Sequence, residues 1–283
     1  MAAPLVRVGT SGWRYPRWRG DFYPAGLPQR LELSYLAERT SALEVNATFY
    51  GLQRPTTFAR WRSEVPAGFV LAVKGSRYVT HVKRTHHARQ GLANFLASGV
   101  LALGPALGPL LWQLPPTLAF DADDLRAFLD LLPRTTGLAA ALAREHDERM
   151  AGRALTEAEE DRPLRHVVEP RHESFRDPRC SALLAEHGVG LVVADTAGHY
   201  PVLDQVTTDL VYVRLHGSAQ LYSGRYSDEA LQSWAQRLRG WRARGAATYA
   251  FFDNDVEGAA PYDAVRLIHV LGAEAAAPTC ADS

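Results

Sequence analysis

Eight short runs of aliphatic and β-branched residues recur along the chain: LVRVGTSG from Leu5, ALEVNATF from Ala42, FVLAVKG from Phe69, PLLWQLP from Pro109, RHVVEPRH from Arg165, VGLVVAD from Val189, LVYVRLHG from Leu210 and ATYAFFDND from Ala247. Between them lie segments with apolar residues at helical spacing, among them LELSYLAERT from Leu31, PTTFARWRSEV from Pro55, DADDLRAFLDLL from Asp121 and SDEALQSWAQRLRGWRARG from Ser227. Buried strands alternating with helices are the pattern of parallel βαβ units. Eight such units close a barrel, so the pattern predicts an α/β fold: a (β/α)8 TIM-barrel-like single domain over residues 1–272. Asp121 and Ser227 stand where N-caps are needed, and Asp124 makes the first resemble a capping box.

The fourth unit is longer than the others. After Leu132 the Ala- and charge-rich stretch LAAALAREHDERMAGRALTEAEEDRP predicts an extra amphipathic helix and an exposed loop, an insertion over about 137–163 before strand five. The small residues of 273–283 read as a flexible C-terminal tail, and no repeat or linker divides the chain.

Composition narrows the classes of function. Lys plus Arg equals Asp plus Glu at 31 each, so no global field draws the chain to nucleic acid or an anionic membrane, and any such binding is local. Two cysteines, Cys180 and Cys280, are too few for a disulfide framework, which points to a reducing compartment. No signal-like segment precedes Gly9, and no apolar run reaches the roughly 20 residues that span a bilayer. The expectation is a cytoplasmic protein with no membrane partner; its oligomeric state is left open.

Candidate chemistry lies at the C-terminal ends of the strands, where barrels carry their active sites. Strand one runs into Gly9, Thr10, Ser11 and Gly12; strand two carries Glu44 and Asn46; strand three ends at Lys74 and strand four at Gln113. The later strands give Glu169, Arg171 and His172, then Asp195, then Arg214 and His216, then Asp253, Asn254 and Asp255. Residues two apart share a face of a strand, so Glu44 with Asn46, Glu169 with Arg171, and Arg214 with His216 are expected same-face pairs. Trp13, Tyr15, Trp18, Phe49, Tyr50, Tyr222 and Tyr226 follow these strands as stacking or lid residues, or as plain loop anchors. The lesser alternative is that the polar groups only form an internal plug of paired charges; the mixture of acids, bases, imidazole and amides favours a functional site.

The words VGTSGWRYPRWRGDFYP, LEVNATFYGL, FVLAVKGSRYVTH, LGPLLWQLPP, VEPRHESF, VYVRLHG, YSGRYS and FFDNDVEGAA, in this order from about Val6 to about Leu267, resemble the YecE-like family, domain of unknown function 72. The resemblance implies a TIM-barrel-like fold and no assigned reaction. The chain departs from the family's usual wording at Pro170 and at Glu173, Ser174 and Phe175, while Glu169, Arg171 and His172 are retained.

Three functions compete. The first is a metal-independent enzyme acting on a small anionic or polyhydroxylated, sugar-like molecule. Lys74, Arg171 and Arg214 would hold an anion; Glu44, Glu169, Asp195 and His216 would supply acid, base and electrostatic catalysis; Asn46, Gln113, His172, Asn254, Trp13 and Tyr222 would bind substrate. His216 is the leading candidate for proton transfer, because imidazole titrates near neutrality. The second is a divalent-metal phosphodiesterase or sugar-isomerase-like barrel, with ligands from Glu44, Glu169, Asp195, His216, Asp253 and Asp255; the nearby cations argue against it, and no cofactor is the leading expectation. The third is a binding module without catalysis, for nucleic acid or a ligand, resting on the basic run KGSRYVTHVKRTHHARQ from Lys74 and tested through Lys83 and Arg84.

Overall fold

The computed structural model describes residues 4–82, 88–217 and 220–276. Lys83, Arg84 and Cys280 lie outside the described residues. Eight strands form where the apolar runs predict them: β1 (Arg7–Ser11), β2 (Ala42–Val45), β3 (Val70–Lys74), β4 (Leu107–Gln113), β5 (His166–Glu169), β6 (Gly190–Asp195), β7 (Leu210–Leu215) and β8 (Ala247–Phe252). They are parallel and follow one another in sequence order around a closed barrel. Their side chains are almost wholly buried, as expected for strands covered on both faces.

Contacts gather the chain into two compact units. The first comprises Met1–Glu44, Glu64–Val70 and Leu191–Ser283. Here β1 pairs with β2 through Gly9↔Ala42 and with β8 through Gly9↔Phe251, and β7 pairs with β8 through Leu215↔Phe252. Helix α1 (Glu32–Ala37) precedes β2, and α8 (Asp228–Ala243) and α9 (Ala260–Leu271) flank β8. Ser227 caps α8, accepting from the Ala230 amide at 3.1 Å. Residues 273–276, assigned by composition to a flexible tail, are instead pinned: the Val6 amide donates to Glu274 O at 2.9 Å, and the Ala276 amide donates to Val6 O at 2.7 Å.

The second unit comprises Val45–Ser63 and Leu71–Gly190. Within it β4 pairs with both β3 and β5, in register through Lys74↔Leu111 and Gln113↔Glu169. Helices α2 (Ala47–Tyr50), α3 (Pro55–Ser63), α4 (Arg89–Ala97), α5 (Ala122–Leu131), α6 (Thr136–Ala143) and α7 (Pro178–Glu186) belong to it. Asp121 caps α5 by accepting from the Asp123 and Asp124 amides, both at 2.9 Å. The Ala-rich stretch after Leu132 forms α6, whose Ala139, Ala140, Leu142 and Ala143 are buried. Among the described residues no helix is long and apolar enough to cross a membrane.

Candidate functional site

In the first unit the alternation of β7 places Tyr212 and Arg214 on one face, with His216 continuing the row, while Val213 and Leu215 take the other. Strand β8 pairs alongside, and the Asp253 amide donates to Leu215 O at 2.8 Å, which sets Asp253 next to His216. The Gly12 amide donates to Glu44 O at 2.8 Å, tying the end of β1 to that of β2.

Arg214 is completely buried, as is Glu44. Burying two charges costs several kcal/mol each unless geometry and extra hydrogen bonds repay it, and here they do. Arg214 Nε and Nη2 donate to Glu44 Oε2 and Oε1 at 2.9 and 2.7 Å, Nη2 also reaches Ser11 Oγ and Asp253 Oδ2, both at 3.0 Å, and Nη1 lies 3.2 Å from His216 Nε2. Glu44 also accepts from Ser11 Oγ and from Tyr212 Oη, the latter at 2.7 Å. Every guanidinium nitrogen of Arg214, the residue expected to hold an anion, has an internal partner.

His216 is equally engaged. A guanidinium can only donate, so Nε2 accepts from Arg214 at 3.2 Å, while Nδ1 lies 3.0 Å from Asp253 Oδ2 without hydrogen-bond geometry. Tyr222 packs edge-on to the imidazole at 5.2 Å, held at φ 62°. His216, expected to lead proton transfer, has no exposed surface, and its Nε2 is taken up by Arg214.

The carboxyls after β8 remain accessible. Asp253 is 17% exposed, with Oδ2 shared by Arg214 and His216. Asp255 accepts from the Trp18 indole N–H at 2.5 Å through Oδ1; its Oδ2 has no partner among the described residues. Burial pushes Asp255 up to about 7; the Trp18 hydrogen bond opposes the rise and the charge of Asp253 adds to it. The Tyr15 phenol is pushed far above its ordinary value by burial and then by Asp253, Asp255 and Glu44, so it stays a neutral hydroxyl, donating to Ser11 O at 2.5 Å.

A buried network supports this loop. Asn254 Nδ2 donates to Gly224 O and to Asp263 Oδ2, both at 2.8 Å, and Asp263 also accepts from the Tyr226 amide and from Arg266. Tyr226 Oη donates to Asp195 Oδ2 at 3.1 Å and accepts from the Gly217 amide at 3.0 Å. Asn254, expected to orient substrate, is fully buried in this network. Trp13, expected at the ligand, is also in the core, its carbonyl accepting from Tyr23 Oη at 2.8 Å.

The second unit carries its own polar set. Lys74 Nζ donates to Gln113 Oε1 at 2.8 Å and lies 4.2 Å from the centre of the Phe49 ring. Glu169 and Arg171 form the expected same-face pair, Oε1 accepting from Nε and Nη2 at 3.1 and 3.0 Å. Burial, then Lys74, Arg171 and Arg77, hold His81 down at about 4. Two expectations are corrected. Asn46 has helical backbone angles, φ −90° and ψ −20°, and opens α2, so strand alternation ends at Val45. His172 caps the turn Glu173–Arg176, its Nδ1 accepting from the Ser174 amide, which commits that nitrogen to structure.

The sequence pattern of the family described as Protein of unknown function DUF72 matches residues 7–282. The chain belongs to that family. This DUF72 chain is 24% identical to UPF0759 protein YecE of Escherichia coli strain K12, over 94% of its own length and 91% of the relative's. It superposes on the crystal structure of a DUF72 family protein from Thermotoga maritima with a TM-score of 0.74 at 23% identity, covering 94% of this chain and 99% of the other. A DUF72 family protein from Enterococcus faecalis gives a TM-score of 0.72 at 17% identity, covering 94% and 95%. These likenesses show the fold. Among the described residues of the DUF72 chain, no three His, Cys, Asp or Glu side chains gather as a metal-holding group. The carboxylates Glu44 and Asp253, offered as ligands by the metal reading, accept from Arg214.

Tyr212 and Asp263 were not among the expected site residues; Ser11, Tyr15, Asp253 and Asp255 were noted at the strand ends and loops, the two aspartates being given a role only as ligands to a metal. Extending the Arg214–His216 alternation back by two residues finds Tyr212. Nothing in the sequence signals Asp263, which reaches the loop from α9.

Proposed function

We propose that this DUF72 protein is an enzyme that cleaves a bond of a small polyhydroxylated, sugar-like substrate by general acid and base catalysis, in the cytoplasm and without a cofactor. The observation that carries the reading is the carboxyl pair after β8 in two different environments. Asp253 sits against the Arg214 guanidinium, which favours its ionised form, while Asp255 is pushed up to about 7 by burial. Two carboxyls whose surroundings drive their protonation apart are the provision for acid and base work at neutral pH. Asp255 gives a proton to the leaving oxygen and Asp253 serves as the ionised partner that activates water or stabilises developing positive charge. Tyr15 and Ser11 line the same cluster as neutral hydroxyls.

An uncharged polyol suits this half of the chain better than an anion, because the guanidinium of Arg214 is spent on Glu44 and Asp253 and the accessible groups are acidic. The buried Cys180 thiol, pushed up to about 12, is in keeping with a reducing compartment, where it stays inert. The test is a turnover screen of the purified protein against chromogenic glycosides and sugar esters at pH 5 to 9. The expected result is turnover that declines above about pH 7 as Asp255 loses its proton, and that falls on the order of 10²- to 10⁴-fold in Asp255→Asn. Turnover that survives Asp255→Asn, or that keeps rising above pH 8, overturns the assignment.

A further inference from the structure

The basic run beginning at Lys74 is not absorbed by the site on the first unit. In the second unit its residues Ser76, Arg77 and Tyr78 border a cleft of about 320 Å³, within the range of pockets that take small molecules. Tyr50, Ser76, Arg77, Tyr78 and Arg149 are among its lining residues, and no carboxylate is. Arg77 is exposed and has no ion-pair partner among the described residues. Arg149 is steadied by Asp147 at 3.2 Å and by the Tyr78 ring, 5.4 Å away. Ser76 is only 5% exposed; its oxygen accepts from the Tyr78 amide at 3.2 Å, and its hydroxyl hydrogen has no acceptor among the described residues. Tyr50, 74% exposed, presents an aromatic ring at the rim.

We propose that this cleft is a second site, distinct from the carboxyl pair, for a phosphomonoester whose molecule also bears a planar ring, as a nucleoside monophosphate does. Arg77 and Arg149 take the phosphate oxygens, Ser76 donates its free hydroxyl hydrogen, and the ring of the ligand lies against Tyr50. Guanidinium groups suit the task because their paired donors match phosphate oxygens. His81 nearby is kept neutral first by burial and then by the charges of Lys74, Arg171 and Arg77. A compact cleft selects a small ligand over a polymer.

Calorimetric titration of the whole protein with inorganic phosphate, ribose 5-phosphate and adenosine 5′-monophosphate tests the site. Adenosine 5′-monophosphate is expected to bind most tightly, and its affinity to drop about tenfold in Arg77→Ala and roughly fivefold in Tyr50→Ala. Asp255→Asn is expected to leave that affinity unchanged, so failure of the catalytic assignment does not touch this one. No saturable binding of any probe at millimolar concentration overturns the proposal. So does binding that Asp255→Asn abolishes while Arg77→Ala spares it. Variants that keep the wild-type unfolding midpoint are the ones compared.

Discussion

Arg214 illustrates how a charge that looks like a ligand-binding group in the sequence becomes part of the frame. It is an always-ionised group with five donors, and Glu44, Ser11, His216 and Asp253 take them up, so what it provides is a fixed orientation for Asp253. His166 in the second unit shows the same logic for a neutral group. It is nearly sealed, accepting from Trp112 Nε1 at 3.1 Å, with its Nε2 2.7 Å from Pro133 O. Burial holds it down at about 4, against about 6.5 in the unfolded chain. The unfolded state therefore takes the proton first, and the contribution of His166 to stability is whole above pH 6.5 and lost as the pH falls toward 4. Linkage puts the loss at about 2 kcal/mol between pH 7 and pH 5. Asp255, raised in the folded state, works in the opposite direction over the same interval, so a single pH profile mixes the two. The urea-unfolding gap between wild type and His166→Gln isolates the histidine: it should narrow by about 2 kcal/mol on going from pH 7 to pH 5. A gap indifferent to pH contradicts the buried neutral imidazole.

At the scale of elements, the strands and the capped helices were readable because their signals are local. Period-two and period-3.6 patterns, with Asp121 and Ser227 at helix starts, need only neighbouring residues to be interpreted. Asn46 was misplaced because a chain can leave a strand within one residue, and alternation beyond Val45 assumes extended backbone that is not there. The ends of β1 and β2 approach so closely that Gly9 has no room for a side chain: an added Cβ would lie 1.7 Å from Ala42 O. Gly9→Ala is expected to destabilise the protein by roughly 2 kcal/mol or more, since the clash is with backbone of the paired strand and cannot relax through a rotamer. Gly240, inside α8 and facing only the tip of Arg244 at 3.9 Å, is the contrast. Gly240→Ala should stabilise by up to about 1 kcal/mol through helix propensity. Thermal unfolding of the two variants checks both, and a tolerated Gly9→Ala would contradict the described β1–β2 approach.

For the whole molecule, the eight-strand order and the family were legible from one sequence, while the division of labour among polar groups was not. Ring closure follows from counting units, but which of Arg214, His216, Asp253 and Asp255 stays available depends on who pairs with whom across strands. Glu44 and Arg214 are 170 residues apart, and Asp263 arrives from a helix with no pattern to announce it. The balanced charge of the chain likewise hid a local asymmetry: accessible carboxyls in the first unit and unpaired or steadied arginines in the second. The central claim is that Asp255 holds its proton near neutrality beside an ionised Asp253. Carboxyl carbon NMR titration of protein labelled at aspartate tests it most directly. The Asp255 resonance should titrate at about 7 and move to lower pH in Asp253→Asn, which removes the neighbouring charge. A midpoint near 4 in the wild type, unmoved by that substitution, would contradict the account.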